Sequence, residues 1–369
     1  MHPLISQALE IAGQGLTLTS PNPAVGCVIT GRKGKVIGQG HTQIAGGSHA
    51  EVMALCAARE AGHDVRGATA YVTLEPCSHH GRTPPCCDAL IEAGIAWVHV
   101  AQQDPNPLVA GQGIARLRAA GIEVTVLDPN DPLAIATREL NIGFFSRMIR
   151  KTPWVRMKIA ASLDGQTALL NGQSQWITAA AARTDGHAWR ARSCAVLTGI
   201  GTVLADNPRL DVRLVETPRQ PHLVVIDSRL ETPLDAHLFI AGRALFIYAA
   251  VQNDTKKSAL EARGAVVTYL PGPNNKVDLA AMLRDLARRE INELHVEAGY
   301  KLNGSFIREG LVDELLIYMA PKLLGAAQGM ASFGPLQSLA DATALQFLSA
   351  EMVGQDLRVR ARITGRDQF

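Results

Sequence analysis

The spacing of apolar residues predicts alternating helices and strands along the first half of the chain. Apolar side chains recur at helical spacing from Leu4 to Leu16, and this pattern ends at Ser20-Pro21-Asn22-Pro23. Strands are predicted at residues 25–30, 36–39, 70–74, 97–101 and 123–127, and helices at residues 50–60, 88–93, 114–119 and 132–148. This order predicts a three-layer α/β domain, in which ligands bind beyond the carboxyl ends of the strands.

The second half of the chain has more predicted strands and fewer helices. Strands are predicted at residues 154–160, 195–198, 222–227, 244–248, 266–270, 293–297, 314–320 and 357–363, and helices at residues 179–193, 279–290 and 302–309. Because the closing strands follow one another without a convincing helix between them, the sheet is expected to be mixed. We therefore predict two α/β domains, at residues 1–146 and 153–369, joined by a linker at residues 147–152.

The composition favours an enzyme with a small-molecule substrate. Hydrophobic residues make up 47% of the chain and charged residues 19%, and the 36 Lys and Arg residues barely outnumber the 34 Asp and Glu residues. This balance supplies no basic field for a nucleic-acid backbone. The N-terminal residues lack the basic segment and apolar run of a signal peptide, and no run of about 18 apolar residues occurs, so a cytoplasmic location without membrane contact is expected.

A group of histidine, cysteine and glutamate residues predicts a catalytic zinc site. In the cytoplasm cysteines stay reduced, so Cys77 and Cys86 are expected to bind metal rather than to form disulfides. Together with His49 they supply three zinc ligands, which leaves the fourth tetrahedral position for water. Glu51 is then free to transfer protons, as the glutamate of the H-x-E motif does in zinc deaminases. Cys87 points about 100° away around its predicted helix and is expected to pack in the core.

The spacing of the two thiolates leaves other interpretations open. The general deaminase motif has two residues between its cysteines, whereas eight residues separate Cys77 from Cys86. His79 or His80 as a fourth ligand would instead make a closed structural zinc site. A zinc-stabilised binding protein without turnover is the rival from another functional class, and a nucleic-acid editor would need the basic groove that the charge balance does not supply.

With these residues identified, the chain resembles the bifunctional deaminase/reductase family of riboflavin biosynthesis. The resemblance covers nearly the whole chain, and the eight-residue spacing is the family's own. It implies a cytidine-deaminase-like first domain that holds one Zn²⁺ and a dihydrofolate-reductase-like second domain that uses NADPH. The segments that carry it are Pro21-Asn22-Pro23-Ala24-Val25-Gly26-Cys27, His49-Ala50-Glu51, the loop from Glu75-Pro76-Cys77 to Cys86, Asp104-Pro105-Asn106-Pro107 and Pro321-Lys322-Leu323-Leu324-Gly325.

For the first domain, the resemblance implies the hydrolytic deamination of 2,5-diamino-6-(5-phosphoribosylamino)pyrimidin-4(3H)-one to 5-amino-6-(5-phosphoribosylamino)uracil. Glu51 would move protons to the ring nitrogen and to the leaving amine. An arginine such as Arg82 is chemically suited to a phosphate. Transferred by motif, the residues that contact this substrate would be Asn22, His41, His79, Arg82, Asp104 and Asn106.

For the second domain, the resemblance implies an NADPH-dependent reduction to 5-amino-6-(5-phosphoribitylamino)uracil. The residues alone give no dinucleotide motif, because Leu204 stands where a third glycine would follow Gly199 and Gly201. Transferred by motif, the NADPH contacts would be Ala160, Trp176, Thr202, Asp206, Ser228, Gly299, Tyr300, Lys301, Leu302, Asn303, Gly304 and Ser305. The substrate contacts would be Lys158, Ser174, Arg190, Leu210, Arg213 and Glu297.

The residues that carry the chemistry of the second domain are less sharply defined. Lys158, Asp206 and Glu297 are the candidates for supplying charge or protons near the nicotinamide. A buried ion pair of Lys158 with Asp206 that serves structure alone is an equal interpretation. The resemblance further implies self-association through the reductase domain. Because some relatives keep a single working half, a zinc deaminase with an inactive second domain is the alternative function.

Overall fold

In the computed structural model, which describes residues 3–79, 84–107 and 109–369, the chain divides into two units. They are Met1–Lys151 and Thr152–Phe369. Within the described residues, no helix is both long enough and apolar enough to cross a membrane.

The first unit is a three-layer α/β structure, as the sequence predicts. Val28 packs against the first helix on one face of the sheet, whereas Cys27 and Ile29 pack on the opposite face against the second helix. The strands are β1 (Gly26–Thr30), β2 (Val36–His41), β3 (Thr69–Leu74), β4 (Trp97–Gln102) and β5 (Glu123–Val126), in the order β2-β1-β3-β4-β5. The helices are α1 (Pro3–Gly13), α2 (Ala50–Glu60), α3 (Cys86–Glu92), α4 (Gln112–Ala119), α5 (Pro132–Leu140) and α6 (Ile142–Arg150).

The pairing of these strands brings several chain segments to one edge of the sheet. β1 is antiparallel to β2, with Gly26 opposite His41, and it is also antiparallel to β3. β3 and β4 are parallel. The start of β1, the end of β2 and the segments that follow β3 and β4 therefore lie at the same edge, which we call the site edge.

The helix predicted at residues 132–148 is in fact two helices, α5 and α6, which are separated at Asn141. The Asn141 side chain accepts a hydrogen bond from the Ala24 N–H (2.8 Å) and donates one to the Ala24 carbonyl oxygen (2.9 Å). Such bonds from a short amide side chain to backbone elsewhere favour a helix boundary. The linker predicted at residues 147–152 is also wrong in part, because residues 147–150 end α6, which is held in place by the buried Phe144 and Phe145.

The second unit is built on a nine-stranded mixed sheet. The order is β11-β10-β9-β8-β12-β6-β13-β16-β15 for β6 (Trp154–Ser162), β8 (Ala195–Gly199), β9 (His222–Ile226), β10 (Leu245–Ala249), β11 (Ala265–Tyr269), β12 (Glu293–Val296), β13 (Glu314–Ala320), β15 (Leu345–Val353) and β16 (Asp356–Ile363). The short strands β7 (Gln166–Ala168) and β14 (Gln328–Gly329) pair separately. The helices are α7 (Ala180–Arg192), α8 (Ile200–Asp206), α9 (Asp254–Ala262), α10 (Leu279–Arg288) and α11 (Tyr300–Arg308).

The direction of the strands confirms the predicted mixed sheet. Neighbouring strands from β11 to β13 are parallel, whereas β16 and β15 are antiparallel additions. The carboxyl ends of β9, β8, β12 and β6 therefore lie side by side. Ligands of open parallel sheets bind at such an edge.

Candidate functional site

The first candidate site lies at the site edge of the first unit. His49 immediately precedes α2, Cys77 follows β3, and Cys86 is the first residue of α3. The His49 Nδ1 atom lies 3.6 Å from the Cys77 Sγ atom and 3.2 Å from the Cys86 Sγ atom, and the three atoms lie within 4.8 Å of one another. Tetrahedral zinc, with Zn–S of about 2.3 Å and Zn–N of about 2.0 Å, separates such donors by about 3.6 Å. The donor set therefore fits one zinc ion.

Among the residues that the structure describes, no fourth histidine, cysteine or carboxylate joins this donor group. His79 is exposed, and both His80 and the predicted phosphate contact Arg82 lie outside the described residues. The Cys87 thiol donates to the Pro76 carbonyl oxygen at 3.3 Å, and burial raises the pKa of this thiol to about 12. Cys87 is thus a packed thiol, as predicted.

The charges around the donor group suit proton transfer. A hydrogen bond between the two sulfurs lowers the pKa of Cys77 and raises that of Cys86. The hydrogen bond to Cys77 also raises the pKa of His49. Glu51 lies in the first turn of α2 and is only 3% exposed. Burial raises the pKa of its carboxyl, and the nearby Cys77 charge adds to this effect. Such a carboxyl takes up protons more readily near neutral pH.

Four of the predicted substrate contacts lie on segments at the site edge. Asn22 precedes β1, His41 ends β2, and both Asp104 and Asn106 follow β4. The Asp104 Oδ1 atom accepts a hydrogen bond from the Asn106 N–H at 2.7 Å, and burial raises the pKa of Asp104 to about 7. The His41 Nδ1 atom lies 2.9 Å from the Thr42 carbonyl oxygen.

The second candidate site is a group of charged side chains at the carboxyl ends of β12 and β6. Glu297 follows β12, and its carboxylate accepts two hydrogen bonds from the Arg190 guanidinium of α7, at 2.5 and 2.9 Å. The Lys158 Nζ atom of β6 lies 3.9 Å from the same carboxylate. Burial alone would raise the pKa of Glu297, but the charges of Arg190 and Lys158 hold it well below its usual range. Burial lowers the pKa of Lys158, and Glu297 offsets part of that effect.

The group continues into residues 210–213. Arg190 donates to the Asp211 carbonyl oxygen at 2.9 Å, and the Asp211 carboxylate pairs with the Arg213 guanidinium at 2.6 Å. The His187 Nδ1 atom accepts a hydrogen bond from the Arg213 N–H at 3.1 Å, and burial lowers the pKa of His187 to about 4. The structure thus brings together the predicted residues Lys158, Arg190, Arg213 and Glu297, whereas the Leu210 side chain packs in a hydrophobic cluster with Val203 and Leu223. Asp211 and His187 also belong to this group, but no sequence motif marks either residue.

The structural ion pair predicted between Lys158 and Asp206 is wrong. Asp206 is the exposed last residue of α8, and the carboxylate beside Lys158 is that of Glu297. Glu297 lies beside Lys158 because it directly follows β12, which pairs with β6, the strand of Lys158. The remaining predicted residues of this unit lie on segments around the carboxyl edge: Ala160 in β6, Ser174 in the loop after β7, Thr202 in α8 and Ser228 after β9.

The predicted phosphate-binding segment, residues 299–305, begins a helix. α11 starts at Tyr300, two residues earlier than predicted, and a Cβ atom on Gly299 would lie 4.0 Å from the Thr202 Oγ1 atom of α8. The first-turn N–H groups of Gly299, Tyr300 and Lys301 have no partner within a helix and suit a phosphate. The two helix starts therefore lie side by side, which fits a dinucleotide.

The middle of this segment faces the protein instead. Asn303 is buried and donates to the Met330 carbonyl oxygen at 3.0 Å, and a Cβ atom on Gly304 would lie 1.9 Å from the Ser332 carbonyl oxygen. Ser305 donates to the Lys301 carbonyl oxygen. Asn303 and Gly304 therefore pack α11 against residues 330–332.

Trp176 is presented to solvent by a well-anchored loop. Its side chain is 63% exposed, and the Arg183 guanidinium lies 4.5 Å from the centre of its ring. Lys322 donates to the carbonyl oxygens of Trp176 (3.2 Å) and Ile177 (2.9 Å). The contacts with Lys322 and Arg183 hold the Trp176 side chain in place, and its exposed ring surface remains open for a ligand.

Comparison with known proteins identifies both units. Residues 2–102 match the family model of the cytidine and deoxycytidylate deaminase zinc-binding region, and residues 153–359 match that of the RibD C-terminal domain. The riboflavin biosynthesis protein RibD of Escherichia coli (strain K12) is 44% identical over 367 residues, which are 96% of each chain. The chain belongs to the RibD family. The corresponding protein of Haemophilus influenzae is 42% identical over 96% of this chain and 95% of its own length.

Solved structures agree with this assignment. Acinetobacter baumannii RibD superposes with a TM-score of 0.87 at 40% identity and covers 98% of each chain. The diaminohydroxyphosphoribosylaminopyrimidine deaminase/5-amino-6-(5-phosphoribosylamino)uracil reductase of Thermotoga maritima superposes with a TM-score of 0.85 at 32% identity, again over 98% of each chain.

The chain is therefore a bifunctional enzyme that joins a cytidine-deaminase-like domain to a pyrimidine reductase domain. Its cofactors are zinc in the first domain and NADPH in the second. The match of the second unit to the RibD C-terminal domain favours this function over a deaminase with an inactive second half.

Proposed function

We propose that the first domain deaminates 2,5-diamino-6-(5-phosphoribosylamino)pyrimidin-4(3H)-one and that the second domain reduces the product, 5-amino-6-(5-phosphoribosylamino)uracil, to 5-amino-6-(5-phosphoribitylamino)uracil. The Thermotoga maritima relative carries these two activities in its name. The observation that carries the proposal is the set of three donor atoms of His49, Cys77 and Cys86 with Glu51 buried beside them. This arrangement provides three zinc ligands and keeps one carboxyl free for chemistry.

Glu51 is the proton carrier of the deamination. Bound zinc supplies a nucleophile at neutral pH by acidifying water. Glu51 takes up the proton that this water loses and passes it to the pyrimidine ring nitrogen. It then takes the remaining hydroxyl proton as the ring carbonyl forms and passes that proton to the leaving amine, which departs as ammonia. The raised pKa of its buried carboxyl supports this role.

The substrate of this reaction is held at the site edge. We assign the base, ribose and phosphate contacts to Asn22, His41, His79, Asp104 and Asn106, together with Arg82, which lies outside the described residues. The pairing of β1 with β2 and of β3 with β4 supports this assignment, because it places Asn22, His41, Asp104 and Asn106 on neighbouring segments.

Lys158 and Glu297 act in the reduction. NADPH supplies a hydride to the anomeric carbon of the open-chain imine. The imine nitrogen must gain a proton as the carbon gains the hydride, and we assign that proton to Lys158, whose lowered pKa eases its release. Glu297 remains ionised and fixes Lys158 and Arg190 by charge. Arg190, Arg213, Leu210 and Ser174 are the further substrate contacts.

NADPH binds across the carboxyl ends of β6, β8, β9 and β12. The adjacent starts of α8 and α11 support a pyrophosphate site at Gly299, Tyr300 and Lys301. Trp176 offers an aromatic face, and its backbone is anchored by Lys322. Further contacts are assigned to Ala160, Thr202, Asp206, Ser228, Leu302 and Ser305.

A chromatographic assay tests both half-reactions together. The purified protein is incubated with the diaminopyrimidine phosphoribosyl substrate in the presence and in the absence of NADPH. Without NADPH, we expect the substrate to be converted to the aminouracil ribosyl compound with release of ammonia. With NADPH, we expect the ribityl compound. Failure to release ammonia contradicts the deaminase assignment, and accumulation of the ribosyl compound despite NADPH contradicts the reductase assignment.

We further propose that two copies of the chain associate through the reductase domain. β15 is an edge strand of the nine-stranded sheet. An edge strand with exposed apolar residues is a surface for pairing with another chain. The exposed large apolar residues of β15 and of the segment before it are Phe333, Leu336, Leu339, Leu345, Phe347 and Met352, with Leu339 94% and Phe347 75% exposed. A cytoplasmic location is proposed as well, because zinc-binding thiolates need reducing conditions.

Replacing one of these residues is expected to break the dimer. Phe347→Asp introduces a charge into β15 and should convert the protein to monomers at micromolar concentration, as measured by light scattering coupled to gel filtration. Leu234→Asp, at a residue of the same unit that is 39% exposed outside β15, is the matched control and should leave the dimer intact. A monomeric unmodified protein, or a dimer that survives Phe347→Asp, contradicts the proposed interface.

A further inference from the structure

Glu75 is a buried carboxylate that lies between two parts of the deaminase site. It follows the last residue of β3, and its side chain is 4% exposed. Within the described part of the chain, no basic side chain forms an ion pair with it; backbone N–H groups serve as its partners instead. Its Oε2 atom accepts hydrogen bonds from Asp104 (3.3 Å) and Gly111 (2.9 Å), and its Oε1 atom accepts one from Ile114 (3.1 Å). Both oxygens are therefore engaged.

The three N–H groups belong to the segment that carries two proposed substrate contacts. The Asp104 N–H lies two residues before Asn106, and the Gly111 and Ile114 N–H groups lie where this segment enters α4. The Asp104 side chain in turn accepts the Asn106 N–H at 2.7 Å. A carboxylate also interacts favourably with the start of a helix. Glu75 thus holds the segment at both of its ends.

The backbone of Glu75 leads directly into the metal-binding segment. Cys77 is two residues further along, and the intervening Pro76 carbonyl oxygen accepts a hydrogen bond from the Cys87 thiol at 3.3 Å. A Cβ atom on Gly113 would lie only 2.0 Å from that carbonyl oxygen, so α4 packs directly against the metal-binding segment. Glu75 and this close contact together fix the position of residues 104–106 relative to Cys77.

We infer that Glu75 is a positioning residue of the deaminase, which sets the Asp104–Asn106 segment at the distance from the zinc ligands that the substrate requires. The inference rests on the proposed role of Asp104 and Asn106 in binding substrate. A carboxylate is needed because both of its oxygens accept hydrogen bonds. In Glu75→Gln, the amide NH₂ group would face either the Ile114 N–H or the N–H groups of Asp104 and Gly111, and the segment would move.

The test uses the full-length, zinc-loaded enzyme and measures KM and kcat for ammonia release. For Glu75→Gln we expect KM to rise about tenfold while kcat changes by less than about threefold, as befits a change in substrate binding. We expect one zinc per chain and an unchanged rate of NADPH oxidation on the deaminated substrate, since the second domain is untouched. Glu92→Gln, at an exposed glutamate that ends α3, is the matched control and should leave all four quantities unchanged.

A double-mutant cycle separates positioning from general destabilisation. If Glu75 acts through the segment that carries Asn106, the variant Glu75→Gln/Asn106→Ala should have nearly the KM of Asn106→Ala alone, rather than the product of the two effects. Multiplied effects, loss of zinc or an unchanged KM in Glu75→Gln overturn the inference. An unchanged KM in Asn106→Ala contradicts the proposed contact instead. A raised KM in Glu75→Gln would then still support positioning, through Asp104.

Discussion

Glu51→Gln will slow ammonia release by about 10²- to 10⁴-fold, the usual contribution of a general acid–base, while one zinc ion stays bound to each chain. The glutamine side chain fills the same volume but cannot carry a proton. The donor atoms of His49, Cys77 and Cys86 do not include the carboxylate, so the metal site should survive. Initial rates of ammonia release and the zinc content of the purified variant provide the measurement.

Two controls accompany this variant. Glu60→Gln alters an exposed glutamate at the other end of α2 and should release ammonia at the normal rate. NADPH oxidation with the deaminated intermediate should be normal in both variants, because the reductase domain is unaltered. If Glu51→Gln keeps both its zinc and full deaminase activity, the proton transfer must be carried by another group.

In the second domain, Glu297→Gln will slow NADPH oxidation by about 10²-fold, which corresponds to about 3 kcal/mol of transition-state stabilisation. The substitution removes the carboxylate that Arg190 and Lys158 share. Removing one partner of a buried ion pair typically costs about 3–5 kcal/mol, because a charge is left without compensation. Without the Glu297 charge, burial lowers the pKa of Lys158 further, and less of the ammonium form remains to donate a proton. The loss of NADPH absorbance, with the deaminated intermediate supplied, measures the effect.

The control for this prediction is an exposed glutamate of the same unit. Glu261→Gln on α9 removes only a surface pair with Lys257 and should oxidise NADPH normally. Ammonia release should remain unchanged in both variants, which separates a reductase defect from a folding defect of the whole chain. Normal NADPH oxidation in Glu297→Gln would remove this residue from the chemistry of the second domain.

The elements that the sequence predicts best are those with a clear apolar pattern. Residues 50–60 have the predicted bounds as α2, whose buried residues recur at helical spacing, and residues 314–320 have them as β13, whose continuous apolar run is typical of a buried strand. α9 was missed because only Leu260 of this helix is buried, and β15 because none of its residues is fully buried. α8 is too short for a helical period. The split between α5 and α6 depends on a contact with Ala24, which lies far away in the sequence.

The site residues, too, could be predicted only where a local sequence pattern identifies them. The zinc ligands were predictable because His49, Cys77 and Cys86 are chemically unusual and stand at a family spacing. Glu297 was assigned by motif, but its pairing with Arg190 joins residues 107 positions apart, which no local pattern encodes. Glu75 is an ordinary residue type, and its function depends on N–H groups that only the folded chain brings to it.

The side-chain amide of Asn141 also determines how long a fragment must be for the deaminase domain to fold without the second domain. It pairs with both the N–H and the carbonyl oxygen of Ala24, just before β1, much as a neighbouring peptide group would. A gene fragment that ended with the matched zinc-binding region at residue 102, or with the last strand at Val126, would leave both buried groups unpaired. Only a fragment that extends through Arg150 would encode all the backbone partners and core residues of this domain.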